Sequence, residues 1–137
     1  MPILFVYGTL MEARVFAAVT GTTPTMVPAK LCGYRRFAFL GECYPGLVTG
    51  NRNDCVIGRL IQDIPFDVWP RLDEYEGSLY ARKEVVVEVA DGDQGNVETC
   101  TAETYVVKTQ YKHKLSNHDW DFDYFRKHHL ERYLGRS

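Results

Sequence analysis

Ile3-Leu4-Phe5-Val6-Tyr7-Gly8-Thr9-Leu10 stands at the start of a 137-residue chain. Ile3 to Val6 is a continuous apolar run of strand length, which reads as a buried strand. Tyr7-Gly8-Thr9-Leu10 breaks the run, and Met11 to Val19 reads as a short helix ended by Gly21. Thr9 is the predicted N-cap, and Glu12 three residues later completes a capping box. From Met26 to Ile64 the pattern is strand-like, punctuated at Gly33, Gly41, Pro45-Gly46, Gly50-Asn51 and Gly58. Strands are predicted over Met26 to Leu31, Arg36 to Leu40 and Cys55 to Gln62. Gly58 within the last marks a bend or a close backbone approach.

The second half continues in the same mixed manner. Phe66, Trp69, Leu72 and Tyr75 recur at three-residue spacing, a helical stripe entered at Pro65, kinked or restarted at Pro70 and stopped by Gly77. Lys83 to Val89 and Glu98 to Val107 read as a hairpin around the turn Asp91-Gly92-Asp93-Gln94-Gly95-Asn96. Residues 119–134 read as one amphipathic helix, with Asp119, Asp121 and Asp123 early and Arg126, Lys127 and Arg132 late, as the helix dipole prefers. Strands outnumber helices without alternating one for one. The expected architecture is α+β, a small mixed barrel or strongly curved sheet flanked by helices.

Composition narrows the function. Lys and Arg total 16 against 18 Asp and Glu, a net charge of −2, whereas proteins that grip nucleic acid or anionic membranes are generally basic. The length suits one domain, residues 1–137, and the longest apolar stretch falls well short of the ~20 residues of a membrane helix. Cys32, Cys43, Cys55 and Cys100 form no close pair, and no secretory signal opens the chain. They are expected to be reduced thiols packed as small core residues in a cytoplasmic protein. His113, His118, His128 and His129 all lie in the last quarter, in no metal-ligand spacing, so no metal site is expected. Aromatic residues make up 13% of the chain, enough to line a cavity as well as a core.

Three short segments are candidates for chemistry. A strand running through Tyr7-Gly8-Thr9-Leu10 into a helix start leaves backbone N–H groups unpaired, and these can hold a carboxylate or phosphate. On spacing alone the segment is a plain strand-to-helix turn, with anion binding as the alternative. Leu72-Asp73-Glu74-Tyr75-Glu76-Gly77 gathers three carboxylates at a helix C-terminus, where the dipole raises carboxylate pKa values and an apolar cavity would raise them further. That tuning suits a general acid/base near neutral pH. The alternative is a solvated acidic helix end with Arg82 as counter-ion. Tyr44-Pro45-Gly46-Leu47-Val48 reads as a turn that can rim a cavity, and Tyr105 reads as a strand aromatic that can form a wall.

Taken together, these segments resemble the γ-glutamylcyclotransferase-like superfamily in its small branch, which holds AIG2-like, YtfP-like and γ-glutamylamine cyclotransferase proteins. The resemblance rests on Val6-Tyr7-Gly8-Thr9-Leu10, Tyr44-Pro45-Gly46-Leu47-Val48, Val56-Ile57-Gly58, and Leu72-Asp73-Glu74-Tyr75-Glu76-Gly77 followed by Tyr80-x-Arg82, with Tyr105 matching in position. It implies a small β-barrel with flanking helices. It also implies that Tyr7, Gly8, Thr9 and Leu10 hold the α-carboxylate end of a γ-glutamyl group, and that Glu76 is the general acid/base. Tyr44, Tyr80 and Tyr105 are the remaining implied substrate contacts. The implied reaction releases 5-oxoproline and a free amine, with no cofactor, in a monomer or homodimer. A non-catalytic module binding a small anionic metabolite in the same pocket is the alternative. Asp73 is expected to pair with Arg82 or Arg71 and Glu74 to be solvated; the aromatic tail with Trp120, Phe122, Tyr124, Phe125 and Tyr133 is expected to pack on the barrel, the alternatives being that it covers the pocket or forms a dimer contact.

Overall fold

The computed structural model describes residues 3–91 and 96–135. Residues 92–95 of the predicted turn from Asp91 to Asn96 lie outside that range. Five strands form a closed barrel in the order β1 (Leu4–Val6), β5 (Cys55–Ile61), β2 (Met26–Cys32), β6 (Tyr80–Asp91), β7 (Asn96–Val107). All pairings are antiparallel except that of β1 with β7, which closes the barrel in parallel and makes it mixed. A two-stranded sheet of β3 (Tyr34–Ala38) and β4 (Pro45–Thr49) sits beside it.

The opening run is apolar throughout because both of its faces are covered. Side chains alternate across a strand. Phe5 and Tyr7 join Leu31, Leu47, Leu60 and Val87 in one cluster, while Leu4 and Val6 join the other, with Phe16, Leu72, Trp120 and Phe125 from the flanking segments. Leu4, Phe5 and Val6 are all buried. Gly58 makes this packing possible. A Cβ there would lie 2.3 Å from the Val6 carbonyl oxygen and 2.7 Å from the Phe5 ring, so the close approach expected at this position is real.

Several elements differ from the sequence reading. Thr9 does not cap the first helix. Thr9–Met11 form a 3₁₀ turn, α1 starts at Ala13 (Ala13–Thr20), and Glu12 caps it by accepting from the Arg14 N–H. Tyr44 to Val48 contributes a strand rather than a turn. Pro45 begins β4, where a missing N–H is tolerated, and Gly46 packs against Val107. The strand predicted at 36–40 lies at β3, with Phe39 bridging to Leu115 instead. Pro70 falls in the first turn of α2 (Trp69–Glu76), which follows a separate 3₁₀ turn, Phe66–Val68. Phe66 is 90% exposed, so the stripe buries Trp69 and Leu72 without it. The tail is two helices, α3 (Phe122–His128) and α4 (Leu130–Tyr133), interrupted at His129.

The cysteines correct the sequence reading most directly. Cys32 and Cys55 stand opposite each other in the β2–β5 ladder and are joined by a disulfide, with Cys55 exposed; Cys43 and Cys100 are free and only half-buried. Strand register brings the pair together, and a separation of 23 residues gives no hint of it. No helix among the described residues is long and apolar enough to cross a membrane.

Breaking that cross-link has a measurable consequence. Cys32→Ser is expected to lower the stability of the oxidised protein by roughly 3 kcal/mol, the value for closing a loop of this length. Denaturant unfolding with and without a thiol reductant checks it, because reductant should bring the wild type down to the variant.

Candidate active site

Where β1 ends, the chain enters the turn of Gly8 to Leu10 and borders a cavity of about 200 Å³. A Cβ on Gly8 would come within 2.8 Å of the Pro45 ring, so glycine lets the turn lie against the start of β4. The 3₁₀ bonds use the carbonyls of Gly8 and Thr9. The N–H groups of Gly8, Thr9 and Leu10 meet no acceptor among the described residues. Three adjacent donors therefore sit at the cavity wall.

Glu76 lines the same cavity. It is the last residue of α2, and Gly77 turns the chain away with φ 76°. The residue is partly exposed at the helix end, and its carboxyl group is densely surrounded by protein where it borders the cavity. Burial, and secondarily the charge of Asp73, push its pKa from the ordinary 4.5 up to about 8. No hydrogen bond among the described residues reaches that carboxyl group, whose oxygens are open to solvent through the cavity.

Tyrosines make up much of the remaining lining, and their hydroxyls are largely committed to the protein. Tyr7 donates to the Tyr105 carbonyl, Tyr80 to the Pro45 carbonyl, and Tyr105 to Asp73 Oδ1, each at 2.6 Å. Thr9 Oγ1 and the Tyr75 hydroxyl are 2.5 Å apart, and Tyr75 bonds onward to Tyr133. Burial raises the pKa of Tyr7, Tyr75, Tyr80, Tyr105 and Tyr133, so these phenols stay neutral. None of the described lining residues is Lys, Arg or His. Among the described residues no three His, Cys, Asp or Glu side chains gather as a metal site.

Tyr7, Gly8, Thr9, Leu10, Tyr44, Glu76, Tyr80 and Tyr105 all line this one cavity, although they come from five separate segments. Asp73 lies outside it, accepting from Tyr105 and 3.7 Å from Arg82 Nε; Arg71 instead donates to the Thr20 carbonyl, and Glu74 is exposed. Two further tyrosines line the cavity: Tyr75, which the sequence places only on the helical stripe, and Tyr133 of the tail, for which packing on the barrel is the expectation and covering the pocket the alternative; Trp120, Phe125 and Leu130 do pack into the core. Arg36 was missed. It braces the site from outside, donating to the Tyr7 carbonyl at 2.9 Å and to Asp119 at 2.8 Å.

A model of the family described as "Gamma-glutamyl cyclotransferase, AIG2-like" matches residues 4–122. The chain belongs to this family. AIG2-like protein C of Arabidopsis thaliana is 35% identical over 134 residues, covering 96% of this chain and 73% of that protein. A solution structure from Arabidopsis thaliana, 32% identical, superposes with a TM-score of 0.69 over 98% of this chain and 78% of that one. A structure named gamma-glutamyl cyclotransferase has a TM-score of 0.63 at 17% identity, over 77% of this chain and 66% of that one, and shares the fold. The barrel with flanking helices is thus the fold of this AIG2-like family member and of its structural neighbours.

The raised pKa of Glu76 fixes a sign for stability. The folded state holds this proton more tightly than the unfolded chain, so the contribution is complete below about pH 4.5 and is lost as pH rises to about 8. Glu76→Gln removes that loss. Discounting for partial solvent access, the variant should gain about 2–4 kcal/mol over wild type near pH 9 and almost nothing near pH 4. Urea unfolding across this range checks the slope.

Proposed function

We propose that the protein releases 5-oxoproline and a free amine from a γ-glutamyl amine or amide, with Glu76 as general acid/base. The observation that carries this reading is that Glu76, whose carboxyl has no protein hydrogen-bond partner among the described residues and a raised pKa, lines the same small cavity as Gly8, Thr9 and Leu10, whose N–H groups are unpaired. Family membership supports it.

A γ-glutamyl amide carries its own nucleophile. Its α-amine attacks the γ-carbonyl carbon, a ring C–N bond forms, the amide C–N bond breaks, and a five-membered lactam leaves with the free amine. A cavity that holds the chain curled supplies the proximity on which such an attack depends. The α-ammonium loses two protons in becoming the ring N–H, one before attack and one as the ring closes, and the departing nitrogen gains two and leaves as an ammonium. Glu76 takes each from the attacking nitrogen and returns it to the departing one. The turn N–H groups bind the α-carboxylate, and Tyr7, Tyr44, Tyr80 and Tyr105 shape the walls around the glutamyl chain.

The test is 5-oxoproline release from a panel of γ-glutamyl amines. Glu76→Gln should reduce kcat by roughly 10²–10⁴-fold, the usual contribution of a positioned acid/base. Undiminished turnover in that variant removes Glu76 from the mechanism, and binding without turnover in the wild type favours the non-catalytic module. The pH profile gives a second handle. Because Glu76 must be a base while the substrate is still an ammonium, kcat/KM should rise with pH towards about 8 on the Glu76 limb and fall above it as the substrate ammonium is lost. Asp73→Asn should move that limb towards acid, by removing the negative charge beside Glu76. The substrate amine titrates in a similar range but does not respond to Asp73, so only a shift between the two profiles reports on Glu76.

A further inference from the structure

The cavity must accommodate an anion without a cation. On the reading above, the α-carboxylate of the substrate enters a site whose described lining residues include no Lys, Arg or His. A carboxylate withdrawn from water needs hydrogen-bond donors in place of its hydration. The turn N–H groups provide some. Among the side chains, the hydroxyls of Tyr7, Tyr80 and Tyr105 already donate to protein acceptors, and Tyr44 faces the Glu42 carboxylate.

Thr9, Tyr75 and Tyr133 differ. Their three hydroxyls are linked by two hydrogen bonds, Thr9 to Tyr75 and Tyr75 to Tyr133. Thr9 also acts on the Tyr133 phenol as a more distant hydrogen-bonding neighbour, and the two close bonds of the cluster among the described residues remain those made by Tyr75. Each hydroxyl carries one proton. Two of the three protons are used within the cluster, and one is left to donate. Thr9 belongs to the turn itself, so this spare donor lies beside the backbone N–H groups. Phenols held neutral by burial can donate but do not repel an anion.

We propose that Tyr133, acting with Tyr75 and Thr9, is a substrate-binding residue whose hydroxyl cluster supplies one donor to the substrate carboxylate and completes the anion site begun by the turn. This deepens the cyclotransferase reading and rests on it. Tyr133 lies on α4, beyond the segment that matches the family at residues 4–122. The helices of the tail therefore do more than pack. Phe125 and Leu130 anchor them in the core, and the edge of the Tyr133 ring against Phe125 sets where its hydroxyl enters the cavity. A residue that binds the carboxylate equally in the ground and transition states raises KM and leaves kcat nearly unchanged.

The experiment measures binding of 5-oxoproline, and turnover of γ-glutamyl ethylamide, by the full chain and by Tyr133→Phe. Tyr124→Phe is the control, because Tyr124 is exposed and outside the cavity. Expected are a roughly tenfold weaker Kd for 5-oxoproline and a similar rise in KM for Tyr133→Phe, with kcat within about threefold of wild type. Binding of 2-pyrrolidinone, the same ring without the carboxylate, should be equal in both proteins. Should Tyr133→Phe fail to fold, Thr9→Val and Thr9→Ser decide: the first should lose affinity and the second keep it. Equal 5-oxoproline affinity in wild type and Tyr133→Phe overturns the assignment while leaving the cyclotransferase reading intact. An equal loss for 2-pyrrolidinone also overturns it, since the effect would not be on the carboxylate. Wild-type binding without turnover defeats the catalytic reading alone. No wild-type binding of either acid defeats both.

Discussion

A strand of three residues, β1, closes the barrel, with β5 antiparallel on one side and β7 parallel on the other. Its side chains and that of Tyr7, which follows it, are divided between two apolar clusters, Phe5 and Tyr7 in one, Leu4 and Val6 in the other. A one-residue slip would exchange these sets. It would also take the Tyr7 hydroxyl from the Tyr105 carbonyl. Burial on both faces thus holds the register, and the register fixes where the chain leaves the strand. The exit, at Tyr7-Gly8, lies under the layer built by α1, α2 and the tail. The turn is consequently delivered to the cavity by the same packing that closes the barrel, and Arg36 holds the Tyr7 carbonyl from the other side.

What could be read from the sequence was local. The apolar opening run, the glycine at 58 and the run Leu72 to Gly77 each carry their meaning within a few residues, and the fold class followed from them. Gathering eight site residues around one cavity required the resemblance, since no spacing rule links residue 8 to residue 76 or 105. What escaped depends on distant partners. Pro45-Gly46 carries turn residues but lies in a strand, because the Val107 side chain leaves no space for a Cβ at Gly46. Phe66 keeps the period of the helical stripe yet points to solvent, because it precedes α2 in a separate 3₁₀ turn. Cys32 and Cys55 meet through ladder register. Tyr133 enters the cavity because the helical period is broken at His129 and a second short helix begins. A single helix over 119–134 does not describe that break.

Charge is distributed sparingly around the cavity. Asp73 remains outside, partly exposed, between the Tyr105 hydroxyl and Arg82, and Arg82 itself lies over the Trp69 ring. Its charge is partly screened by solvent and by that guanidinium, which explains why it affects Glu76 less than burial does. The same carboxylate fixes the Tyr105 hydroxyl, so the wall facing Glu76 is oriented by the group that helps to tune it.

The tuning matters for the proposed proton transfers. An α-ammonium group has a pKa of roughly 7.7–8.0. A carboxyl group near 8 has almost the same proton affinity, so moving the proton between them is nearly thermoneutral. A solvent-exposed glutamate near 4.5 would be a much weaker base, and taking the same proton would run uphill by roughly 4.5 kcal/mol. It would be a stronger acid towards the departing nitrogen, but one transfer would be favoured at the expense of the other. A single group that must both accept and return a proton works best when its affinity lies close to that of the donor. Burial at the end of α2 places Glu76 there, and the neutral phenols around it leave that affinity high by offering no cation to stabilise the carboxylate.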